Sequence, residues 1–201
     1  QGNASDTLLL LEHPPTYTLG RRSKLSDLLL PREVLEARGA QVLDVDRGGE
    51  ITFHGPGQLV AYPIIDIRPW GGPLPYVRAL EAVLIGALRT FGIQATCIEG
   101  LTGVWVANAK IAAIGVKISH GVATHGFAIN VTTDLSWFDH IIPCGIHNGD
   151  VTSMEQVLGH PVTHERVASV VAARFGLELG LRMTHSTPDA ITGIAILETT
   201  A

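Results

Sequence analysis

Two residues of this sequence are suited to covalent chemistry: Lys110, set against an apolar run, and Cys144, held between Pro143 and Gly145. They stand 144 − 110 = 34 residues apart, too far to meet within one element, so a sheet must fold back on itself to join them. A thiol attacks as its thiolate, and a free cysteine titrates near ~8.5, so an ammonium beside it would favour the reactive anion. The same lysine could exchange a proton with the sulfur or with a substrate. A pair of this kind suits acyl transfer through a covalent intermediate. Cys97, within QATCIEG, lacks polar company and reads as a small buried hydrophobe. Two further stretches carry polar residues that plain hairpins would not need. One is RGGEITFH, Arg47 to His54; the other is the pair His125–Gly126.

Other chemistries lack their motifs. Nine histidines invite a metal reading, but His120 and His125 are separated by a glycine-containing turn, and neither HExxH nor CxxC occurs. There is no GxSxG elbow and no P-loop. A net charge of −5 argues against a nucleic-acid binder that relies on a basic surface. Apolar runs such as Leu8 to Leu11 are far shorter than the ~18 residues a membrane helix needs. Two cysteines do not make a disulfide framework, and no secretory signal is visible, so a reducing cytoplasm is expected.

The elements that must position these residues are mostly strands. Thr7 to Glu12, Thr16 to Gly20, Gln41 to Asp46, Ile51 to His54 and the long Gln58 to Ile67 read as strands. Further strands are expected at Gln94 to Glu99, Val104 to Val106, Lys110 to Ile118 and Gly126 to Val131. Pro31 to Gly39 reads as a helix with Val34 and Leu35 as its apolar stripe. Pro75 to Phe91 is the strongest helix, with Val77, Leu80, Leu84, Leu88 and Phe91 recurring every three or four residues. Leu135 to Ile141 reads as a short helix leading to Pro143, and Thr152 with Glu155 reads as a capping box. Thr163 to Leu177 is a second good helix, with Val167, Val170, Val171 and Phe175 turned inward. Arg21, Arg22 and Lys24 form a basic cluster on a loop. Strands joined by short turns, with helices between groups of them, point to an α+β fold: a mixed, largely antiparallel sheet flanked by helices. Residues 1–201 are expected to form a single domain.

Four blocks together resemble the lipoyl(octanoyl) transferases of lipoate biosynthesis: RGGEITFHGPGQLVAYPI (Arg47 to Ile64), KIAAIG (Lys110 to Gly115), HGFAIN (His125 to Asn130) and PCG (Pro143 to Gly145). They keep the family's order and spacing, including the lysine-to-cysteine interval, and the match runs from about Leu8 to Val151. The resemblance implies the fold of the biotin and lipoate protein ligases. It also implies an enzyme that moves octanoyl from octanoyl-acyl carrier protein to a lysine of an acceptor, through a cysteine thioester. The acceptors would be the lipoyl domains of 2-oxoacid dehydrogenases and the glycine cleavage H protein. By resemblance Cys144 is the nucleophile and Lys110 its acid/base partner. Arg47, Gly48, Gly49, Glu50, Ile51, Thr52, Phe53 and His54 would line the acyl tunnel and oxyanion region, with Ala113, Ile114 and Gly115 and with Gly126, Phe127 and Ala128. His125 is a further candidate. Lys117 stands where the family commonly has arginine and receives no catalytic role. The family usually carries a strand and a helix before LLLLEHP, so an upstream segment is expected.

A thioester donor is already activated, so exchange onto cysteine followed by aminolysis requires no ATP, metal or other cofactor. An eight-carbon chain buried at ~0.8 kcal/mol per CH₂ could be measured for length. Two alternatives share parts of this reading: an ATP-dependent lipoate or biotin protein ligase, and a non-catalytic acyl-binding module. The first needs no nucleophilic cysteine, and the PCG setting of Cys144 weighs against it.

Overall fold

The computed structural model describes residues 6–142 and 151–186. In chain order the elements are β1 (Thr7–Leu11), β2 (Thr16–Leu19), α1 (Arg32–Ala37), β3 (Gln41–Asp44), β4 (Ile51–His54) and β5 (Gln58–Asp66). They continue with α2 (Pro73–Thr90), β6 (Thr96–Ile98), β7 (Leu101–Val106), β8 (Ala109–Ser119), β9 (Val122–Asn130), α3 (Met154–Leu158) and α4 (His164–Leu179). Short 3₁₀ turns occupy Leu25–Asp27, Arg68–Trp70 and Leu135–His140.

The strands form two sheets. Six lie in the order β1-β5-β9-β8-β7-β6, every neighbouring pair antiparallel. The other three lie as β3-β2-β4, with β2 parallel to β3 and antiparallel to β4. The expected mixed, largely antiparallel α+β architecture is thus the observed one.

Each sheet has its own apolar core. Leu59, Ala61 and Ile65 of β5 alternate onto one face of the large sheet, as do Phe127 and Ile129 of β9. They pack beneath α2 and α4, which supply Leu80, Leu84, Leu88, Val167, Val171 and Phe175. Burial of one such leucine contributes roughly 2 kcal/mol. Tyr17, Leu19, Ile51 and Phe53 of the small sheet pack with Leu35 of α1 and Phe138 in a second core. There Phe53 stacks on Trp137 with ring centroids 5.3 Å apart.

Several local expectations need correction. α2 begins at Pro73 and its buried stripe includes Tyr76 and Val83, whereas Val77 and Phe91 lie at its margin. Glu81 on the same helix is only 2% exposed. It accepts hydrogen bonds from Arg78 Nη1 at 2.6 Å and from the backbone N–H of Gly103 at 3.4 Å, a burial that apolar periodicity does not reveal. Val34 is exposed, so α1 buries Leu35 alone. α3 is capped by Ser153, whose hydroxyl accepts from Gln156 N–H at 3.2 Å; Thr152 bonds the Gln156 side chain instead. Cys97 is exposed on the edge strand β6 rather than buried. Burial of the sulfur and the neighbouring Glu81 push its thiol pKa up.

Candidate active site

Lys110 opens β8 opposite Trp105 of β7. The β7–β8 register slips by one residue between the Val104↔Ala112 and Trp105↔Lys110 pairs. Ile111 and Ala112 consequently both join the helix-side core, and Lys110 comes to the other face, in phase with Ala113 and Gly115. Its Nζ lies 5.1 Å from the centre of the Trp105 ring, and Trp105 is itself buried. Val151 bridges to Lys110, and the Thr152 N–H donates to the Lys110 carbonyl at 3.0 Å. Cys144, with Pro143 and Gly145, lies outside the described residues.

Beyond Lys110 the same face of the large sheet is built of small residues. Ala113 of β8 pairs with Ala128 of β9, and Gly115 pairs with Gly126. A Cβ on Gly126 would overlap the Ala61 carbonyl and the Pro63 ring, so only glycine lets β9 approach β5 there. One residue earlier, His125 holds a left-handed backbone (φ 57), which interrupts the β5–β9 pairing between Ala61↔Phe127 and Ile65↔Ala123. Its Nε2 meets Asp46 Oδ1 at 2.8 Å. Asp46 also pairs with Lys117, and these two partners hold its carboxyl down at about 2.

The small sheet covers this floor. Ile51 and Phe53 turn into the second core, so Glu50, Thr52 and His54 occupy the opposite face of β4. Arg47 is 8% exposed and reaches across to β2. Its Nη2 donates to the Thr18 carbonyl at 2.6 Å and to the Thr18 hydroxyl at 2.9 Å. Gly20 and Gly115 make room for it from either side: an added Cβ would stand 2.6 Å from Nη1 at the first and 3.2 Å from Cδ at the second. The Gly48 N–H donates to the Val116 carbonyl at 2.9 Å and ties this roof to β8. Glu50 Oε2 is buried without a hydrogen-bond partner among the described residues.

The structure therefore brings Arg47, Gly48, Thr52, His54, Ala113, Gly115, Gly126 and Ala128 to one trough between the sheets. Four predicted lining residues are placed otherwise by the two-residue strand period. Ile114 and Phe127 face the helices, and Ile51 and Phe53 lie in the second core, so their side chains do not line the trough. Sequence reading missed Gln58, Asn130, Tyr62 and His13. The first two had a signal, since both end strand blocks within the quoted motifs. His13 Nε2 and the Tyr62 hydroxyl, 2.7 Å apart, come from a residue just past β1 and from the middle of β5, where neither stands out in the sequence. Among the described residues no group of three His, Cys, Asp or Glu side chains could hold a metal ion.

His54 is 9% exposed, and its pKa lies at about 4, lowered first by burial and further by the nearby Arg47. A histidine in the unfolded chain titrates near ~6.5. Between those values the unfolded chain takes up a proton that the folded protein refuses, so stability falls as pH drops through that window. The loss at its lower end is roughly 3 kcal/mol. Urea denaturation at pH 7 and pH 4 should show His54→Asn losing less stability on acidification than the parent, by about that amount.

The lipoyl protein ligase A/B catalytic domain matches residues 1–176. An octanoyltransferase of Koribacter versatilis is 52% identical over 182 residues, covering 88% of this chain and 72% of that protein. One from Roseiflexus sp. is 49% identical over 191 residues, covering 91% and 80%. The chain belongs to this octanoyltransferase family. Among solved structures, a bi-partite lipoate protein ligase from Thermoplasma acidophilum superposes with a TM-score of 0.74 over 92% of this chain and 76% of that one. At 17% identity that likeness describes the fold alone. The expected ligase-like architecture is therefore present, carried by an octanoyltransferase sequence.

Proposed function

We propose that this chain is an acyltransferase of lipoate biosynthesis that moves an octanoyl group onto a lysine of lipoyl-bearing proteins, and that residues 1–201 act as one catalytic domain. Octanoyl-acyl carrier protein is the donor, and Cys144 carries the chain as a thioester between the two half-reactions. The acceptors are the lipoyl domains of 2-oxoacid dehydrogenases and the glycine cleavage H protein, and the reaction takes place in the cytoplasm. No helix among the described residues is long and apolar enough to cross a membrane.

The observation that carries the reading is the position of Lys110. A one-residue slip turns it onto the trough face, and the chain runs past it at Val151, seven residues (151 − 144) after Cys144. An ammonium there can stabilise the thiolate and protonate it as it leaves. Arg47 and the backbone around Gly48 and Gly115 close the trough over a floor of Ala113, Gly115, Gly126 and Ala128, a shape that suits an unbranched alkyl chain. A backbone N–H facing the tetrahedral oxyanion contributes about 3 kcal/mol.

Intact-mass spectrometry after mixing with octanoyl-acyl carrier protein tests this. An octanoyl adduct on Cys144, discharged by a lipoyl domain without ATP, is the expected result. A requirement for ATP would favour a ligase, and no covalent adduct would favour a binding module.

The donor's docking surface follows from charge. The chain is net negative, and acyl carrier proteins are acidic by the family reading, so docking needs a local basic patch. Arg21, Arg22 and Lys24 are exposed beside Leu25, which is 81% exposed. The Arg21 N–H donates to the Arg47 carbonyl at 3.1 Å and the Arg22 N–H to the Gly49 carbonyl at 3.1 Å, which joins this loop to the trough roof. Reversing these charges should raise the donor KM several-fold at low ionic strength and flatten its salt dependence. Unchanged kinetics would remove the patch from the docking surface.

A further inference from the structure

A chain of buried amides runs from His54 to Thr152, whose backbone N–H bonds the Lys110 carbonyl, and two backbone carbonyls fix its polarity. Gln58 sits 3.1 Å from the Phe53 carbonyl, which can only accept, so the Gln58 atom there is its amide nitrogen Nε2. Asn130 sits 3.0 Å from the Thr152 carbonyl, so the atom there is Nδ2. Asn130 Oδ1 is left to accept the second proton of Gln58 Nε2, at 2.9 Å. With both Gln58 protons committed, its Oε1 must accept from His54 Nδ1, 2.7 Å away. Gln58 and Asn130 are both buried, so water does not offer them an alternative arrangement.

The consequence lies on the far edge of the imidazole. With the proton on Nδ1, Nε2 carries a lone pair, and it has no hydrogen-bond partner among the described residues. His54 stands on the trough face of β4, between Arg47 and the Gln58–Asn130 pair. We infer that His54 is a substrate-contacting hydrogen-bond acceptor, whose Nε2 receives an N–H of the substrate, and that Gln58 and Asn130 are positioning residues that hold its tautomer. This rests on the function proposed above and narrows it. A lone pair cannot bind an acyl carbonyl or its oxyanion, so His54 is removed from the oxyanion region and given to a nitrogen-bearing part of the substrate. Two parts qualify: an amide of the donor's thiol arm, and the amine of the acceptor lysine.

Nitrogen-detected NMR on the ¹⁵N-labelled chain tests the tautomer, with the His54 signals identified by their loss in His54→Asn. At pH 7 the expected state is neutral, with Nδ1 protonated and Nε2 bare. A proton on Nε2, or an imidazolium, would overturn the inference. Gln58→Met should release the constraint and place part of the population in the other tautomer; an unchanged spectrum would show that the amide chain does not hold it.

His54→Asn keeps a donor toward Gln58 while deleting Nε2, so it serves for the kinetics. One half-reaction should slow by roughly tenfold, the size expected for one hydrogen bond to the substrate. Slower formation of the octanoyl adduct identifies the donor's amide, and slower discharge to the lipoyl domain identifies the lysine amine. No loss in either half, or equal loss in both, overturns the contact. If the parent protein never forms an adduct, the proposed function fails, and the NMR result still decides the tautomer.

Discussion

Replacing Cys144 with serine is expected to reduce octanoyl transfer by about 10³-fold or more, because a serine hydroxyl stays un-ionised where a thiol does not. Cys97→Ser should change turnover by no more than about twofold, as exposed substitutions usually do. Cys97 lies on the edge strand β6 near Glu81 and Arg78, on the far side of β7 from the trough. A carboxylate beside a thiol opposes ionisation, the reverse of what a nucleophile needs. Multiple-turnover octanoylation of a lipoyl domain, with circular dichroism to establish folding, makes the comparison. Equal losses in two folded variants would mean that the nucleophile has been misassigned.

Lys110 offers the second large effect, and its environment allows charge and proton transfer to be separated. Lys110→Ala should lower turnover by roughly 10²–10⁴-fold and raise the pH at which iodoacetamide alkylates Cys144. Lys110→Arg keeps a cation over the Trp105 ring, a contact that arginine makes at least as well. Alkylation should then remain near its normal pH. Turnover should still fall sharply, because arginine does not release a proton at working pH. Full turnover in Lys110→Arg would leave only an electrostatic role. Lys117→Ala is the comparison. Lys117 lies seven residues along the same strand, roughly 23 Å away, in an ion pair with Asp46 at the surface. Such pairs contribute about 0–1 kcal/mol, so little should change.

The sequence made several strands legible because turn residues bound them: Gly20 follows β2, Gly55 and Gly57 separate β4 from β5, and Gly121 separates β8 from β9. It made the trough residues legible because the RGGEITFH, KIAAIG and HGFAIN blocks interrupt apolar runs with arginine, lysine and histidine where packing requires none. What stayed hidden was which way each side chain faces. In Ile111 to Val116 nearly every residue is apolar, so a period of two leaves no trace, and Ile114 could not be told from Ala113 or Gly115. The same holds for Phe127 between Gly126 and Ala128. The role of Gln58 and Asn130 stayed hidden for another reason. They are far apart in sequence and acquire a role only because β5 pairs with β9 at Gln58↔Asn130. Glu81 escaped because a carboxylate on a helix normally marks its solvent side, and here a cross-strand N–H and Arg78 keep it inside.

The register slip between β7 and β8 bears on how chain length can vary around the site. Ile111 is the extra residue: without it Val104↔Ala112 and Trp105↔Lys110 would become consecutive pairs, the ladder would close without interruption, and Lys110 would still stand opposite Trp105 on the trough face. What such a deletion would remove is the fully buried side chain of Ile111 from the helix-side core. The irregularity is thus held by packing, while the lysine's direction survives its loss. Lineages of this fold could therefore shed one residue between Lys110 and Ala112 and stay active, and a gap in their alignments should fall there before it falls anywhere else along β8.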